Sequence, residues 1–202
     1  MPITFDSQQN IFHLKNDYIS YIIGIEKGKY ITHRYFGKSL TSYHGSNELQ
    51  FIDRGFATNP IPDERTFSLN ALPLETSTQG NGDHRIPNYQ IRNQQGFTIT
   101  DFTYKEHRIY EGKRELEGLP YLRKDNTTSL EIVLEDERQT IQMILTYNLY
   151  ENDAVLTRNA RFINSGNQAI FLENAGSLLV DFPRWDLDMV TLNGSHTNEA
   201  NL

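Results

Sequence analysis

At 202 residues with no cysteine and a net charge of −7, the chain can bury one sizeable core and has neither disulfide nor thiolate chemistry. Its 19 basic residues are scattered rather than gathered into a stripe, so nucleic acid is not an expected partner. No apolar run is long enough to cross a bilayer, and Met1 to Ser7 lacks the basic and apolar regions of a signal peptide, so a cytoplasmic protein without a membrane partner is expected.

Short β-like runs open the chain at 3–5, 11–14 and 18–25, separated by polar turns at 7–10, 16–17 and 26–28, and strands spaced this closely pair antiparallel. The rhythm then breaks. Between Gly55 and Pro87 the chain carries Pro60, Pro62, Pro73, Gly80 and Gly82, which forbid long ladders, while Phe56, Phe67 and Leu69 predict an ordered excursion packed on something. Gly80-Asn81-Gly82-Asp83 has no Lys-Ser/Thr after it and no helix start, so it predicts a tight turn of the primed type rather than a phosphate loop.

Strands are next expected at 89–91, 97–104 and 108–110, with Asn93-Gln94-Gln95-Gly96 as a hairpin turn and a solvated charged loop at 111–118. The clearest period-2 pattern is Ile141, Met143, Leu145, Tyr147 and Leu149, which predicts one buried face and one wet face. In the following run, 154–163, Leu156, Ala160 and Phe162 share one parity with the polar Arg158. Turn residues at 164–167 precede a last β-like run at 169–182. No segment has a capped helical stripe, so the expected fold is all-β in a single domain, 1–202.

Candidate chemistry is sparse. Sugar recognition needs a carboxylate or amide for vicinal hydroxyls and an aromatic face for the ring, and Asp53-Arg54 beside Phe51 and Phe56 meets that compositional requirement. The same aspartate equally suits a turn starting at Arg54-Gly55, or a local pair with an arginine. The six histidines show no zinc-type spacing, so no metal is expected, and no Gly-x-Ser-x-Gly elbow supports serine chemistry. Trp185, after Pro183-Arg184, suits a packing plug or a sugar platform. The tail from Leu192 to Leu202 is rich in hydrogen-bonding groups and suits a frayed end or a severed functional loop.

Taken in order, Phe12-His13-Leu14, Gly37-Lys38, Asp53-Arg54, Asn59-Pro60, Arg65-Thr66-Phe67-Ser68-Leu69, Asp83, Arg85, Pro87, His107-Arg108-Ile109-Tyr110, Gly118-Leu119-Pro120, Leu130 to Leu134 and Val180-Asp181-Phe182-Pro183 resemble the N-terminal domain of glycoside hydrolase family 36 α-galactosidases. The resemblance implies an antiparallel β-supersandwich of two packed sheets, of the galactose mutarotase-like or glycosidase N-terminal type. In the family it precedes a (β/α)8 barrel and a small C-terminal β domain. It implies release of terminal α-linked galactose from melibiose- and raffinose-type sugars with retention, by two barrel aspartates that lie outside this chain, with no cofactor.

In tetrameric members the N-terminal domain reaches a neighbouring subunit's active site, where the aspartate matching Asp53 contributes to the galactose pocket. The resemblance therefore makes Asp53 a substrate-binding residue, a homo-oligomer the expected assembly, and the chain itself non-catalytic. Relatives read Gly-(Ser/Ala)-Trp, with a basic residue before the glutamate, where this chain has Gly194 to Glu199. His196 thus stands at the tryptophan position as the second substrate-binding candidate, and Asn198 replaces the basic residue. The chain stops inside this motif, which suggests truncation. Two further readings remain: an autonomous carbohydrate-binding β-sandwich module, and a purely structural sandwich that covers a barrel and oligomerises.

Overall fold

The computed structural model describes residues 2–45, 49, 51, 53, 59–78, 80–118, 122, 126–182 and 186–201. Two four-stranded antiparallel sheets form the body. The first is a meander of β1 (Ile3–Asp6), β2 (Ile11–Lys15), β3 (Ile19–Glu26) and β4 (Tyr30–Lys38), in that spatial order. After a 3-10 turn (Leu69–Ala71) and β5 (Tyr89–Asn93), the second is a meander of β6 (Thr103–Glu111), β7 (Thr127–Asp136), β8 (Ile141–Tyr150) and β9 (Val155–Asn164). β10 (Ile170–Ala175) pairs with β5, and β11 (Asn193–Ser195) pairs with β12 (Asn198–Asn201). Among the described residues there is no α-helix, and no helix long and apolar enough to cross a membrane.

The two meanders close on one core because alternate side chains of each point at the other. Tyr21, Ile23 and Ile25 of β3 meet Leu130, Ile132 and Leu134 of β7 and the Met143, Leu145 and Tyr147 row of β8, with Tyr89 and Ile91 of β5 at one flank. Tyr147 and Phe12 are fully buried. Each such side chain contributes about 1.5–3 kcal/mol when taken from water.

The turns follow their chemistry. Asp6 accepts the amides of Gln8 and Gln9, and Asn16 accepts those of Tyr18 and Ile19. Gly80 and Asp83 exchange backbone hydrogen bonds at 3.3 and 2.9 Å around Asn81 (φ 51°) and Gly82 (φ 83°). Positive φ at both central residues makes it the primed turn that the sequence predicts.

Four expectations need correction. The second face of β8 is not wet: Ile144, Thr146, Asn148 and Tyr150 are buried as well. Runs 97–104 and 108–110 are not two strands, because β6 runs unbroken through a bulge at Tyr104/Glu106 and 97–102 is irregular. The 93–96 turn forms, with Gly96 donating to Asn93, but β5 takes β10 as its strand partner. The run 169–182 is strand only to Ala175.

Candidate functional site

The described part of the excursion between β4 and β5 carries its own small core. Phe67, Leu69, Leu72 and Leu74 are buried against Tyr30 and Leu49. Leu74 bridges to Thr32 on the edge of β4, and His33 donates its backbone N–H to Pro73 at 2.6 Å. Arg85 fastens the far side: its guanidinium donates to the backbone carbonyls of Leu69 (3.0 Å) and Leu72 (2.7 Å) and to the buried Asp83 carboxylate (2.9 Å). A planar fork with five fixed donors suits this task, whereas a lysine could not reach all three acceptors at once.

Asp53 hangs from that core. Phe51 stacks on Phe67, centroids 6.1 Å apart and planes 18° apart, and Phe67 packs in turn on Tyr30 at 5.9 Å. Two residues beyond Phe51, the Asp53 carboxylate is 54% exposed and pairs with Arg65 at 3.1 Å, itself 68% exposed. A pair this wet contributes about 0–1 kcal/mol, so the carboxylate can exchange partners at little cost. The local arginine pairing that the bare residues allowed is thus present. Arg54 and Phe56, the other members of that motif, lie outside the described residues.

His196 is brought nowhere near this arrangement by any hydrogen bond or ion pair among the described residues. It occupies the two-residue turn of the β11–β12 hairpin beside Thr197 (φ 66°), whose amide N–H donates to Glu199 at 3.0 Å. The imidazole is exposed. The tail is therefore an exposed hairpin, and Trp185 with Pro183 lies outside the described residues. Among the described residues no group of three or more His, Cys, Asp or Glu is arranged to hold a metal ion.

A cavity of about 380 Å³ lies beside β4, bordered by Tyr35, Phe36, Leu49 and Phe182 with Arg34 and Asp181. The sequence reading did not find it, because its walls come from four distant segments. Arg85 Nη1 reaches Asp181 at 3.4 Å, tying the excursion to this wall. Asp53 does not line the cavity. The carboxylate therefore stands at a surface, able to complete a pocket but not to enclose a ligand alone.

Two antiparallel sheets packed on one core, with an aromatic-anchored arm presenting one carboxylate, make this an all-β sandwich domain. The chain belongs to the glycosyl hydrolase family 36 N-terminal domain, whose family model matches residues 29–202. It is 40% identical over 202 residues to the α-galactosidase AgaA of Geobacillus stearothermophilus, covering 98% of this chain but only 28% of that enzyme. The crystal structure of α-galactosidase AgaB from the same organism superposes with a TM-score of 0.83 at 42% identity, over 91% of this chain and 25% of that one. A structure of an AgaA variant in complex with raffinose gives a TM-score of 0.80 at 41% identity, over 86% of this chain and 24% of that one. The chain thus spans about a quarter of the length of these relatives.

Proposed function

We propose that this chain is the non-catalytic N-terminal domain of an α-galactosidase that hydrolyses terminal α-linked galactose with retention, and that Asp53 completes its galactose pocket across a subunit contact in a homo-oligomer. The observation that carries this reading is the position of Asp53. An anchored arm holds a solvated carboxylate, which is the condition expected of a group whose site is finished by another surface. The relatives support it, since α-galactosidases match over nearly the whole chain and one holds an α-galactoside. A cytoplasmic setting belongs to the same reading, supported by the acidic, cysteine-free composition.

Chemically, Asp53 accepts hydrogen bonds from sugar hydroxyls once Arg65 is displaced or shared. A hydrogen bond to a charged acceptor is worth about 1.5–3 kcal/mol, and more of it is realised as the assembled pocket excludes water. His196 is the second contact in this reading, donating through an imidazole N–H where relatives carry an indole.

The test is steady-state kinetics of the parent enzyme on melibiose and raffinose. Asp53→Ala should raise KM about 10- to 150-fold, the range that 1.5–3 kcal/mol sets, with a smaller change in kcat. A KM within twofold of the unsubstituted enzyme for both sugars would reject the role of Asp53.

A further inference from the structure

The middle of the outer face of the second sheet carries polar groups, yet these are buried. One parity of β6 to β9 lines up in cross-strand rows. Arg108, Glu131, Thr146 and Asn159 stand opposite one another, and Tyr110, Ser129, Asn148 and Thr157 form the next row. Groups of this kind on the outside of an antiparallel sheet are ordinarily wet, because removing them from water costs free energy unless each finds a partner. Here Ser129, Glu131, Thr146 and Asn148 are all more than nine-tenths buried.

Their roof is formed by residues 113–117 of the loop that follows β6. Arg114 lies over the Tyr110 ring at 5.8 Å from the centroid and reaches Glu131 Oε1 at 3.4 Å. The same carboxylate oxygen accepts the Tyr110 hydroxyl at 3.2 Å. Lys113 pins the loop at a second point by donating to the Tyr150 hydroxyl at 2.6 Å. Below, Ser129 donates to Asn148 at 2.7 Å and Asn148 donates to Thr157 at 3.1 Å, so the floor is held rigid by its own hydrogen bonds.

Between floor and roof remains a cavity of about 400 Å³, bordered by Arg114, Leu116 and Glu117 on the roof and by Glu131, Asn159 and Arg161 on the sheet. Its volume falls in the range of about 300–1,000 Å³ typical of small-molecule pockets. The lining selects the ligand chemistry. Among the described residues the lining carries both signs, carboxylates from Glu117 and Glu131 and guanidiniums from Arg114 and Arg161, so no single charge is selected. A hydrocarbon would strip water from the floor and return no hydrogen bond. A neutral ring bearing several hydroxyls matches both kinds of wall, since each hydroxyl donates to a carboxylate or amide oxygen and accepts from a guanidinium or amide nitrogen.

We propose that this roofed cavity on the β6–β9 sheet binds one monosaccharide unit, at a site separate from the Asp53 arm. The site is formed by this chain alone and needs no second subunit.

The experiment is a titration of the isotope-labelled chain with galactose and with glucose to about 50 mM each, read by chemical-shift changes in NMR. Inorganic phosphate serves as the anionic comparison. We expect saturable shifts at Thr146, Asn148, Asn159 and Ala160 with a millimolar Kd for at least one sugar. Affinity should fall at least tenfold in Asn159→Ala and in Arg161→Ala, two variants at the cavity rim that keep the rest of the spectrum, and should persist in Asp53→Ala. No shift with either sugar would overturn the proposal. So would equal or tighter binding of phosphate at the same residues, or shifts that vanish in Asp53→Ala, which would refer the sugar to the arm instead.

Discussion

Arg158 and Glu75, 83 residues apart, meet in the interior: the guanidinium Nε lies 3.7 Å from the Glu75 carboxylate, and Nη2 donates to the Glu75 backbone carbonyl at 2.8 Å. Their side chains are 5% and 0% exposed. The carboxylate also accepts the hydroxyls of Tyr21 (2.7 Å) and Tyr147 (2.6 Å) and contacts His33 Nδ1 at 3.1 Å. Burial first, and then the Glu75 charge, push both tyrosine hydroxyls far above their ordinary pKa, so they remain protonated donors. Removing one partner of such a pair leaves a bare charge in the core. Glu75→Leu should therefore cost about 3–5 kcal/mol in guanidinium chloride denaturation, and adding Arg158→Met should recover most of that loss.

The Arg85 clasp gives a local prediction. Arg85→Ala removes the donors that bind Leu69, Leu72 and Asp83, leaving the buried Asp83 carboxylate without its cation. The loss should be about 1.5–3 kcal/mol. Hydrogen exchange should quicken across 67–85 while β7 and β8 stay protected, and Arg85→Lys should restore only part of the protection.

Gly24 sits where β3 passes the Arg34–Glu26 pair. A Cβ there would come within 2.7 Å of Arg34 Nε and 2.9 Å of both Glu26 Oε1 and Thr32 Oγ1. Arg34 and Glu26 are largely buried at 8% and 12% exposure, so they have little room to withdraw. Gly24→Ala should destabilise by about 1–3 kcal/mol despite the higher strand propensity of alanine, as measured by the shift in denaturation midpoint.

Two histidines set a pH window. Burial lowers the pKa of His107, which packs against Phe5 and Phe12; burial, and then the Lys15 charge, lower that of His13. The unfolded chain then binds more protons than the folded one once pH falls to about 6.5. Stability is full above that value and declines as pH drops through it toward the lower folded pKa values. His107→Gln should flatten the dependence of Tm on pH between about 7.5 and 5.5. A slope unchanged in that variant would remove His107 from the account.

Much of the sandwich was legible because alternation survives where only one face is apolar. Ile141 to Leu149 announced β8, and Arg158 stood out as a polar residue on the apolar parity of β9, although its partner Glu75 did not. β4 and β7 gave no such signal. Thr32 and His33 bury polar groups on both faces of β4, and in β7 Val133 is buried on the same face as Ser129 and Glu131, so clean period 2 is lost from the sequence. Glu75 was unreadable for a related reason: a lone acid after Leu74 looks like a surface residue until Tyr21, Tyr147 and Arg158 converge on it. Asp53 was legible only as a residue type. Its aromatic anchoring through Phe51 and Phe67 is a tertiary fact, and the sugar-binding role proposed for it comes from family likeness.

The Glu75 cluster also bears on how the molecule reaches its native state. Each four-stranded meander is built from neighbouring hairpins and can form from local contacts, one without the other. Tyr21 and His33 arrive with the first meander, Tyr147 and Arg158 with the second, and Glu75 with the segment between them. A half-docked chain would hold a dehydrated carboxylate with only some of its donors, a state costlier than either separated hairpin stack in water. The penalty falls on partly assembled species and spares both ends of the reaction, so the buried charge acts as a checkpoint that makes docking of the two halves all-or-none.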